Sequence, residues 1–558
     1  MFMRSAKTFV PDALRGLIAS TDDIAWTPDP GYLTRAQPLT PGRVALMSGG
    51  GSGHEPLHAG FIGEGMLTAV CPGLVFSSPN ALQIHEAAKA VDAGGGVLQI
   101  VKNYTGDVLN FGIARELLGE DDIDASVVLV DDDVATERAD GSGPGRRGTA
   151  ATVVVEKVCG AAAERGDDLG EVTEIGNRVT ANARSMAVAL RACTLPGADS
   201  PSFELPAGQI ELGVGIHGER GLERIDSLPA PQLVRRLTDP IIESLGLHEG
   251  EAVIAVVNGL GATHLLELQL LFAELADYLN EKGIRIERTL VGTYVTALNM
   301  SGASITLVRI YEELLELWDA PTKAPAWPNS VAQGFRGIGP RESFGPTFTP
   351  PDGQHPDSTL VGPWVADWAQ KVLDREPELT DLDRRAGDGD FGTNMVAALE
   401  QIDLVAVRDS YSSATIFDAL SLAYLGHAGG TSGALFGIWF RHFYRVATES
   451  ELDLNGIAHA ARAGLDNITE LGGARVGDKT MVDALVPAVE SLEESVRSGA
   501  DLETALRSAA DAASTGAAST ESMLAQRGRA SYVGEAARGV MDPGALLVSW
   551  FFAGAVGK

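Results

Sequence analysis

The sequence predicts an N-terminal α/β half, made of two α/β subdomains, followed by an all-α half. In the first part of the chain, short apolar runs alternate with glycine loops and helical patterns, as in strands joined by helices. In the last part, Ala-rich amphipathic stretches recur, and no sheet is needed to explain them. A stretch dense in Pro and Gly separates the two patterns, so we predict domains over residues 1–327 and 359–558 with a linker over 328–358. The boundary between the subdomains is expected near 190–208.

The composition restricts the class of protein. A chain of 558 residues is too long for one ordinary core, so roughly two to four domains are expected. Its formal charge of −32 disfavours nucleic acid or an anionic membrane as a partner, because phosphates attract Lys- and Arg-rich surfaces. Three scattered cysteines without metal-site spacing favour a reduced, cytoplasmic setting. The start has no apolar run of signal-peptide length, and the apolar run 545–556 is too short to span a bilayer.

The first predicted sheet lies near the beginning of the chain. Its strands are the apolar runs Val44–Met47, Val97–Val101 and Val127–Val130, and Asn80–Ala93 has apolar residues at helical spacing. Strands that alternate with helices form a mainly parallel sheet. Ligands of such a sheet bind beyond the carboxyl ends of its strands, where the loops lie. We therefore expect a binding site in the loops that follow these strands.

A second α/β block is predicted to end near Trp318. Ala252–Gly261 has the character of a buried strand, and a helix is predicted at Leu265–Lys282. Between the two blocks, the Ala-rich stretches Thr149–Arg165 and Val172–Leu190 are predicted to be helices.

The last part of the chain is predicted to be helical throughout. Each amphipathic stretch is bounded by Gly, Asp, Ser or Thr, the residues that start and stop helices. The predicted helices are Val361–Glu376, Asn394–Ile402, Ile416–Leu425, Gly433–Thr448, Leu452–Leu471, Val482–Ser498, Asp501–Ala517 and Ala545–Val556. The acidic loop around Asp388 is therefore expected between the first two helices of this domain.

That loop, Leu382–Asn394, contains Asp383, Asp388 and Asp390 within eight residues, with glycines that allow a tight turn. Converging carboxylates repel one another unless a cation lies between them, and an all-oxygen site suits Mg²⁺, which also binds phosphate oxygens. The motif therefore predicts a Mg²⁺–nucleotide site. The alternative is a solvated Asp-Gly turn at a helix end. An EF-hand is excluded because the twelfth position, counted from Asp388, is Leu399 and not Glu.

A glycine loop, Met47–Pro56, directly follows the first predicted strand. Backbone N–H groups in such a loop can approach a ligand because few Cβ atoms obstruct them. The loop matches neither a Walker A sequence nor a GxGxxG fingerprint. By itself it does not distinguish a binding site from a structural turn.

Two further loops carry ionisable side chains where predicted strands end. Val101–Asp107 contains Lys102 and Asp107, which on a surface would be an ordinary ion pair. Gly215–Gly221 places His217 between glycines, which indicates that another group comes close to the ring. The alternative for this histidine is an ordinary solvated loop position.

The helical half adds a hydroxyl- and glycine-rich turn, His427–Gly433, that leads into a predicted helix. Helix N-termini carry partial positive charge and free N–H groups, which suits a phosphate. Two more polar segments, Gly477–Met481 and Met541–Gly544, lie near predicted helix starts.

Eight motifs, in this order, resemble those of the dihydroxyacetone kinase family: GGGSGHEP, VKNYTGD, GIHGERG, VNGLGAT, GDGDFGTN, GGTSGALFG, GDKTMVDAL and DPGA. The resemblance extends over nearly the whole chain. It implies a ketose-binding half in residues 1–327 and a helical barrel that binds the nucleotide in residues 359–558, fused as in the ATP-dependent single-chain kinases. It also implies ATP and Mg²⁺, normally a pair of ions, as cofactors, and a homodimer.

The resemblance further implies roles for individual residues. His217 resembles the histidine that adds covalently to the substrate carbonyl, and either His54 or Asp107 takes the hydroxyl proton. The implied Mg²⁺ ligands are Asp383, Asp388 and Asp390. The implied ketose contacts are Gly51, Ser52, Gly53, His54, Lys102, Asp107 and His217. The implied nucleotide contacts are Phe391, Gly392, Thr393, Asn394, Ser432, Gly433, Gly472, Met481, Arg529, Asp542, Pro543 and Gly544.

Departures from the family's pattern leave the choice of substrate open. Phe391 stands where the family often has Cys or His, Arg220 replaces a frequent Pro, and the run VDDDVATERADGSGPGRRGTAAT is closer to the phosphotransferase-system type of ketose subunit. The predicted activity is ATP-dependent phosphorylation of the terminal hydroxyl of a short ketose, with dihydroxyacetone as the default. The alternatives are a four-carbon ketose such as erythrulose, and an FAD-AMP lyase that forms cyclic FMN. A non-enzymatic regulator is disfavoured because both halves retain their apparent catalytic residues.

Overall fold

The computed structural model divides into two compact units, Met1–Pro340 and Arg341–Lys558. It describes residues 1–137, 145–328, 335, 337–339, 348–353, 355–527, 531 and 534–556. Much of the predicted linker over 328–358 falls outside these ranges, so the linker and the predicted domain boundaries stay predictions. Within the described ranges, no helix combines the length and apolar character needed to cross a bilayer.

The first unit begins with a six-stranded sheet. Its elements are α1 (Phe9–Ser20), β1 (Ile24–Thr27), β2 (Tyr32–Arg35), β3 (Ala45–Ser52), β4 (Ala69–Val75), α2 (Ala81–Val91), β5 (Val97–Lys102), α3 (Thr105–Glu120), β6 (Ala125–Val130), α4 (Ala151–Arg165) and α5 (Leu169–Ala181). The strand order is β1-β2-β4-β3-β5-β6. Strands β4, β3, β5 and β6 run parallel, and β1 and β2 add an antiparallel edge. The predicted mainly parallel sheet is confirmed.

Helices cover both faces of this sheet, because successive side chains of a strand point to opposite faces. On β3, Ala45 and Met47 pack with residues of α2 and α3, whereas Leu46 packs with residues of α4 and α5. Every residue of β3 is buried. The glycine loop at the carboxyl end of β3 is therefore anchored in the middle of the sheet.

The rest of the first unit forms a second six-stranded sheet. Its elements are β7 (Ala183–Arg191), β8 (Gln209–Leu212), β9 (Glu223–Asp226), α6 (Ala230–Leu245), β10 (Ala252–Gly259), α7 (Leu265–Glu281), β11 (Arg285–Gly292), β12 (Ser301–Arg309) and α8 (Leu314–Asp319). The strand order is β11-β10-β12-β7-β8-β9. The β10–β11 pair is parallel and the other pairs are antiparallel. The predicted second α/β block is confirmed, with a mostly antiparallel sheet.

One predicted helix, Val172–Leu190, is wrong over its second half. The helix α5 ends at Ala181, and Ala183–Arg191 forms strand β7 between β12 and β8. The first seven residues of β7 are all buried, so neither face of this part of the strand is exposed. A strand buried on both faces has no period-two alternation of apolar and polar residues, and its pattern cannot be distinguished from that of a buried helix.

The described part of the second unit contains helices and no strand, as predicted. Its helices are α9 (Val361–Asp374), α10 (Glu376–Ala386), α11 (Phe391–Leu399), α12 (Leu404–Asp409), α13 (Ser413–His427), α14 (Gly430–Glu449), α15 (Leu454–Gly472), α16 (Val482–Ser498), α17 (Leu502–Ser519) and α18 (Pro543–Gly554). The sequence prediction missed α10 and α12. The acidic loop lies between α10 and α11, so its predicted place between the first two helices is wrong. The mostly polar α10 buries Leu379 and Ala386 alone, which leaves a weak apolar period.

The three cysteines, Cys71, Cys159 and Cys193, lie in the first unit, are buried and form no disulfide. Burial raises the pKa of each of these thiols. The thiolate is the reactive form of cysteine, so these side chains are unreactive in the folded protein.

Candidate functional site

Polar side chains from the two sheets of the first unit come together next to the glycine loop. The segment between β11 and β12 is hydrogen-bonded to the glycine loop: the Leu298 N–H donates to Gly53 O at 2.7 Å, and the Thr296 N–H donates to His54 O at 3.2 Å. The loop between β8 and β9 adds His217, whose ring centroid lies 4.7 Å from that of His54. The two sheets therefore each supply one histidine to the same cluster of polar side chains.

His54 is fully buried and its tautomer follows from one contact. Its Nδ1 lies 2.7 Å from Thr296 O, and a carbonyl oxygen only accepts, so Nδ1 carries the hydrogen. The Nε2 atom then has a lone pair, and it has no hydrogen-bond partner among the described residues. Burial, with smaller contributions from His217 and Lys102, holds the pKa of His54 well below its usual value. A neutral imidazole with an unused acceptor can receive a hydroxyl hydrogen.

The ring of His217 lies in an aromatic surrounding. Its centroid is 4.3 Å from that of Tyr104 and 5.5 Å from that of Phe76, both in edge-to-face geometry. The side chain is 20% exposed, so a small ligand can reach the ring. This arrangement confirms that glycine-flanked His217 is not a freely solvated loop residue.

Glu219 supports His217 at two points. One carboxylate oxygen of Glu219 accepts the backbone N–H of His217 at 2.8 Å, and the other lies 3.9 Å from His217 Nδ1. Burial raises the pKa of Glu219, but the hydrogen bond and charge of His217, together with Arg147, lower it to about 2. An anion beside Nδ1 favours a hydrogen on that nitrogen, which leaves the Nε2 lone pair of His217 for an electrophile.

We expect Glu219→Gln to weaken ketose binding, because the amide keeps the shape of the side chain but loses its charge. Hydrogen bonds to charged groups contribute about 1.5–3 kcal/mol, so the affinity should fall about tenfold to 100-fold. Calorimetric titration with dihydroxyacetone measures the change, and Glu223→Gln, on the exposed strand β9, is the matched control. Equal ketose affinity in Glu219→Gln and wild type would show that the charge does not act on His217.

Lys102 and Asp107 are both buried beneath the glycine loop. The Lys102 ammonium donates to Gly49 O at 3.2 Å and lies 3.7 Å from an Asp107 carboxylate oxygen. The Ser78 hydroxyl donates to the other oxygen of Asp107. The predicted surface pair is therefore a buried one, which is costly unless its groups are partnered.

The main role of the glycine loop is to let its backbone lie close to neighbouring groups, and its side chains take little part in the chemistry. A Cβ on Gly51 would lie 2.6 Å from Phe76 Cα, so no larger residue fits there. Gly53 has φ +106°, a conformation that L side chains rarely adopt. The Ser52 hydroxyl donates to Gly73 O at 2.7 Å, so that side chain holds the loop to β4.

The second unit contains a cavity of about 390 Å³ beside the acidic loop. Carboxylate oxygens of Asp383, Asp388 and Asp390 lie within 4.8 Å of one another at its edge. Asp383 also accepts the Phe391 N–H at 3.0 Å, which fixes the start of α11 against the end of α10. Gly389, with φ +80°, makes the turn between them. Three converging oxygen donors fit a hard cation such as Mg²⁺.

Most of the predicted nucleotide contacts line this cavity. Those that do are Phe391, Asn394, Ser432, Gly472, Met481, Asp542, Pro543 and Gly544. Gly392, Thr393 and Gly433 are not among the lining residues: a Cβ on Gly392 would lie 2.3 Å from Thr380 Oγ1, and one on Gly433 would lie 2.3 Å from Ala428 O. These two glycines allow helix packing. Arg529 lies outside the described residues.

Sequence reasoning missed several residues of the cavity. Gly430 begins α14 at the cavity, and Arg527 supplies a cation. Lys479 is buried, and its ammonium donates to Thr520 O at 2.6 Å and to Val540 O, which ties the ends of the segment that carries Arg527. The signal for Lys479 was its place in the GDKT motif next to a helix start. Burial raises the pKa of Asp542, another lining residue, to about 7, so its carboxyl group can be uncharged next to an anion.

The first unit brings two histidines and a buried Lys–Asp pair together, and the second unit has a cavity with three carboxylates at its edge. Polar groups on one unit and a carboxylate-edged cavity on the other suit a two-part phosphotransferase. Comparison with known proteins agrees. The Dak1 domain model matches residues 15–326, and the DAK2 domain model matches residues 385–557. The chain belongs to the dihydroxyacetone kinase family, and it is a kinase of that family with both domains in one polypeptide.

Individual relatives cover nearly the whole chain. Human triokinase/FMN cyclase is 39% identical over 553 residues, which is 96% of this chain and 95% of that protein. L-erythrulose 1-kinase of Mycolicibacterium smegmatis is 35% identical over 568 residues, which is 98% of this chain and 97% of that protein. The crystal structure of the dihydroxyacetone kinase from C. freundii in complex with AMP-PNP and Mg²⁺ matches with a TM-score of 0.61 and 31% identity, covering 100% of this chain and 99% of that one.

Proposed function

We propose that the chain uses ATP with Mg²⁺, bound as a pair of ions, to phosphorylate the terminal hydroxyl of a short ketose, with dihydroxyacetone as the default substrate. The observation that carries this proposal is the contact between the rings of His54 and His217, whose centroids lie 4.7 Å apart. One ring has a lone pair for a hydroxyl, and the other has a lone pair for a carbonyl. A ketose with a neighbouring hydroxyl group satisfies both. The predicted homodimer is part of the same proposal.

On the acceptor side, His217 holds the ketose covalently. Its Nε2 lone pair bonds to the carbonyl carbon and the carbonyl π pair moves to oxygen. That oxygen gains a proton and the ring loses its Nδ1 hydrogen, so the neutral hemiaminal forms with no net uptake of protons. His54 Nε2 accepts the hydrogen of the terminal hydroxyl. We assign the base to His54 over Asp107, because both oxygens of Asp107 already face Ser78 and Lys102.

On the donor side, Asp383, Asp388 and Asp390 would hold the Mg²⁺, which neutralises phosphate charge and aligns the transferring group. The N-terminus of α14 at Gly430 presents free N–H groups that suit a phosphate. Arg527, another lining residue, adds positive charge at the cavity.

Two alternatives rest on the names of relatives. The similarity to L-erythrulose 1-kinase supports a four-carbon ketose as the substrate. The similarity to triokinase/FMN cyclase supports FAD-AMP lyase activity that forms cyclic FMN in the metal-containing cavity. Such a reaction needs no carbonyl capture, so it does not involve His217.

We expect the purified chain to phosphorylate dihydroxyacetone with Mg²⁺–ATP, and to leave glycerol nearly unreacted. A coupled assay of ADP release over dihydroxyacetone, D- and L-erythrulose and glycerol, with FAD turnover followed in parallel, makes the comparison. A larger kcat/KM for an erythrulose would replace the default substrate. ADP release that no ketose stimulates would refute the kinase proposal, and cyclic FMN formation in the same preparation would favour the lyase.

A further inference from the structure

A chain of buried ionisable side chains extends from Lys102 into the core of the first unit. The Lys102 ammonium lies 2.7 Å from His58 Nε2, and His58 Nδ1 lies 2.5 Å from a Glu156 carboxylate oxygen. His58 comes from the segment after the glycine loop, and Glu156 comes from α4. His58 is 4% exposed, and Lys102 and Glu156 are not exposed at all. Packing does not explain such a cluster, because burial of charged groups is costly.

Glu156 is a charged residue within the buried part of helix α4. Thirteen consecutive residues of α4 are buried, and Glu156 and Lys157 are the ionisable side chains among them apart from Cys159. Lys157 turns to a different partner and donates to Leu317 O at 2.8 Å. One oxygen of Glu156 bonds His58, and the other has no hydrogen-bond partner among the described residues. Packing of the helix would require only an apolar residue at this position, so the carboxylate is explained by its hydrogen bond to His58.

Donor and acceptor counting fixes the tautomer of His58. An ammonium group has three hydrogens and no lone pair, so His58 Nε2 must accept from Lys102. The hydrogen of the neutral ring therefore sits on Nδ1, where it donates to Glu156. The Ser48 hydroxyl, 3.0 Å from Nδ1, donates to Ile100 O at 2.7 Å and is free to accept a share of the same hydrogen. Burial, followed by the charge of Lys102, keeps the pKa of His58 well below its usual value, in agreement with a neutral ring.

We propose that His58 and Glu156 are positioning residues for Lys102: they hold its side chain as an ammonium, with two hydrogens fixed by Gly49 O and His58 Nε2 and the third left for Asp107 and the ketose. This inference rests on the ketose site proposed above. It gives His58 and Glu156 a role in the reaction without contact to the substrate. It also explains why a histidine and a glutamate occupy core positions.

The charge of Lys102 depends on this arrangement. Burial lowers the pKa of Lys102, while Asp107 and Glu156 raise it. Of the other groups that face it, His58 and His54 are neutral at the usual pH of an assay. Burial raises the pKa of Glu156 well above its usual value, against the opposing effects of the Lys102 ammonium and a hydrogen bond of Ser48. If activity needs the ammonium, activity is lost as the pH rises through the pKa of Lys102. Where Glu156 is ionised on that alkaline limb, removal of its charge moves the loss to lower pH.

Variants separate the hydrogen bond from the charge. Glu156→Leu removes both, and we expect kcat with the ketose to fall about 100-fold, the size of effect caused by a small misplacement of a reacting group. Glu156→Gln still accepts the Nδ1 hydrogen, so kcat at its optimum should largely return, with the alkaline limb of the pH profile shifted to lower pH. Glu156→Asp keeps the charge, so the alkaline limb of its pH profile should lie at the same pH as in wild type. A loss of kcat in Glu156→Leu without any shift in Glu156→Gln would overturn the electrostatic part.

A spectroscopic readout tests the positioning without turnover. In the full-length protein labelled with ¹⁵N-histidine, the resonance lost in His58→Gln identifies His58, and we expect it to show a protonated Nδ1 and a bare Nε2. A doubly protonated ring, or the opposite tautomer, would overturn the proposal. The spectrum of the ligand-free protein stays informative even if no ketose is phosphorylated, a result that would refute only the proposed function.

Glu211→Gln is the control variant for a general loss of stability. Glu211 is also buried, at 4% exposure, and is paired with Arg224 at 3.0 Å in the second sheet. We expect this variant to lower the melting temperature about as much as Glu156→Gln does, without a shift of the pH profile. A shift of equal size in Glu211→Gln would show that the effect comes from general destabilisation and would overturn the proposal.

Discussion

Asp388→Ala should abolish kinase activity and leave ketose binding unchanged. The three aspartates of the acidic loop present carboxylate oxygens within 4.8 Å of one another, an arrangement that a divalent cation stabilises. Loss of a supporting residue already weakens metal sites by about 10- to 100-fold, so loss of a ligand should weaken Mg²⁺-dependent ATP binding by more than about 100-fold. The proposed ketose site belongs to the other unit and should not respond. Calorimetric titrations with Mg²⁺–ATP and with dihydroxyacetone measure the two effects separately.

A stability measurement adds a readout that does not need activity. A ligand at 100 times its Kd raises the free energy of unfolding by about 2.7 kcal/mol, so Mg²⁺–ATP should raise the melting temperature of wild type and not of Asp388→Ala. Asp381→Ala is the matched control, since Asp381 lies on α10, pairs with Arg384 and does not belong to the three. Unchanged ATP affinity in Asp388→Ala would remove the metal site from the acidic loop.

His217→Asn should lose most of the preference for ketoses over glycerol. Glycerol has hydroxyl groups of similar reach but no carbonyl, so it cannot form a hemiaminal. Pockets that rely on ordinary contacts discriminate between molecules of such similar shape by about 100-fold, and the variant should fall to about that level. The ratio of kcat/KM for dihydroxyacetone and glycerol measures the preference, and continuous density from a ring nitrogen to the carbonyl carbon in soaked crystals would show the bond.

The control for this histidine is His264→Asn. His264 caps the start of α7 outside the proposed ketose site, and asparagine is itself a good capping residue. We expect unchanged kinetics in this variant. If His217→Asn retained the full preference for ketose, with the ketose held by hydrogen bonds alone in wild type, covalent capture would be wrong.

The sequence predicted strands whose apolar runs have sharp ends. The strands β3 and β5 are buried on both faces, and they were recognisable because a glycine loop or a charged loop follows each short apolar run. Strand β7 is also buried over most of its length, but a single residue separates it from α5, so its run predicts a continuation of that helix. The polar α10 was missed because it buries so few residues.

The site was predictable where chemistry is concentrated in one motif and not where it is assembled from distant segments. The three aspartates and the His54–Lys102–Asp107–His217 set follow from short motifs. Glu219 lies within the GIHGERG motif, but its role depends on a side chain that folds back toward the His217 backbone. Glu156 is 98 residues from His58, and no local pattern links them. The one available signal was a charged residue within an otherwise apolar helix.

The two units differ in their reactivity toward thiol reagents, because all the cysteines lie in one of them. All three thiols lie in the first unit and are shielded, and the sequence after Cys193 contains no cysteine. A thiol reagent can therefore react only when the α/β unit opens, at a rate set by the population of the opened form. The rate of thiol labelling would therefore measure the opening of the α/β unit alone, because the helical unit has no cysteine to react. Mass spectrometry of the three positions would further tell whether the two sheets open together, because Cys71 reports on the first sheet and Cys193 follows β7 of the second.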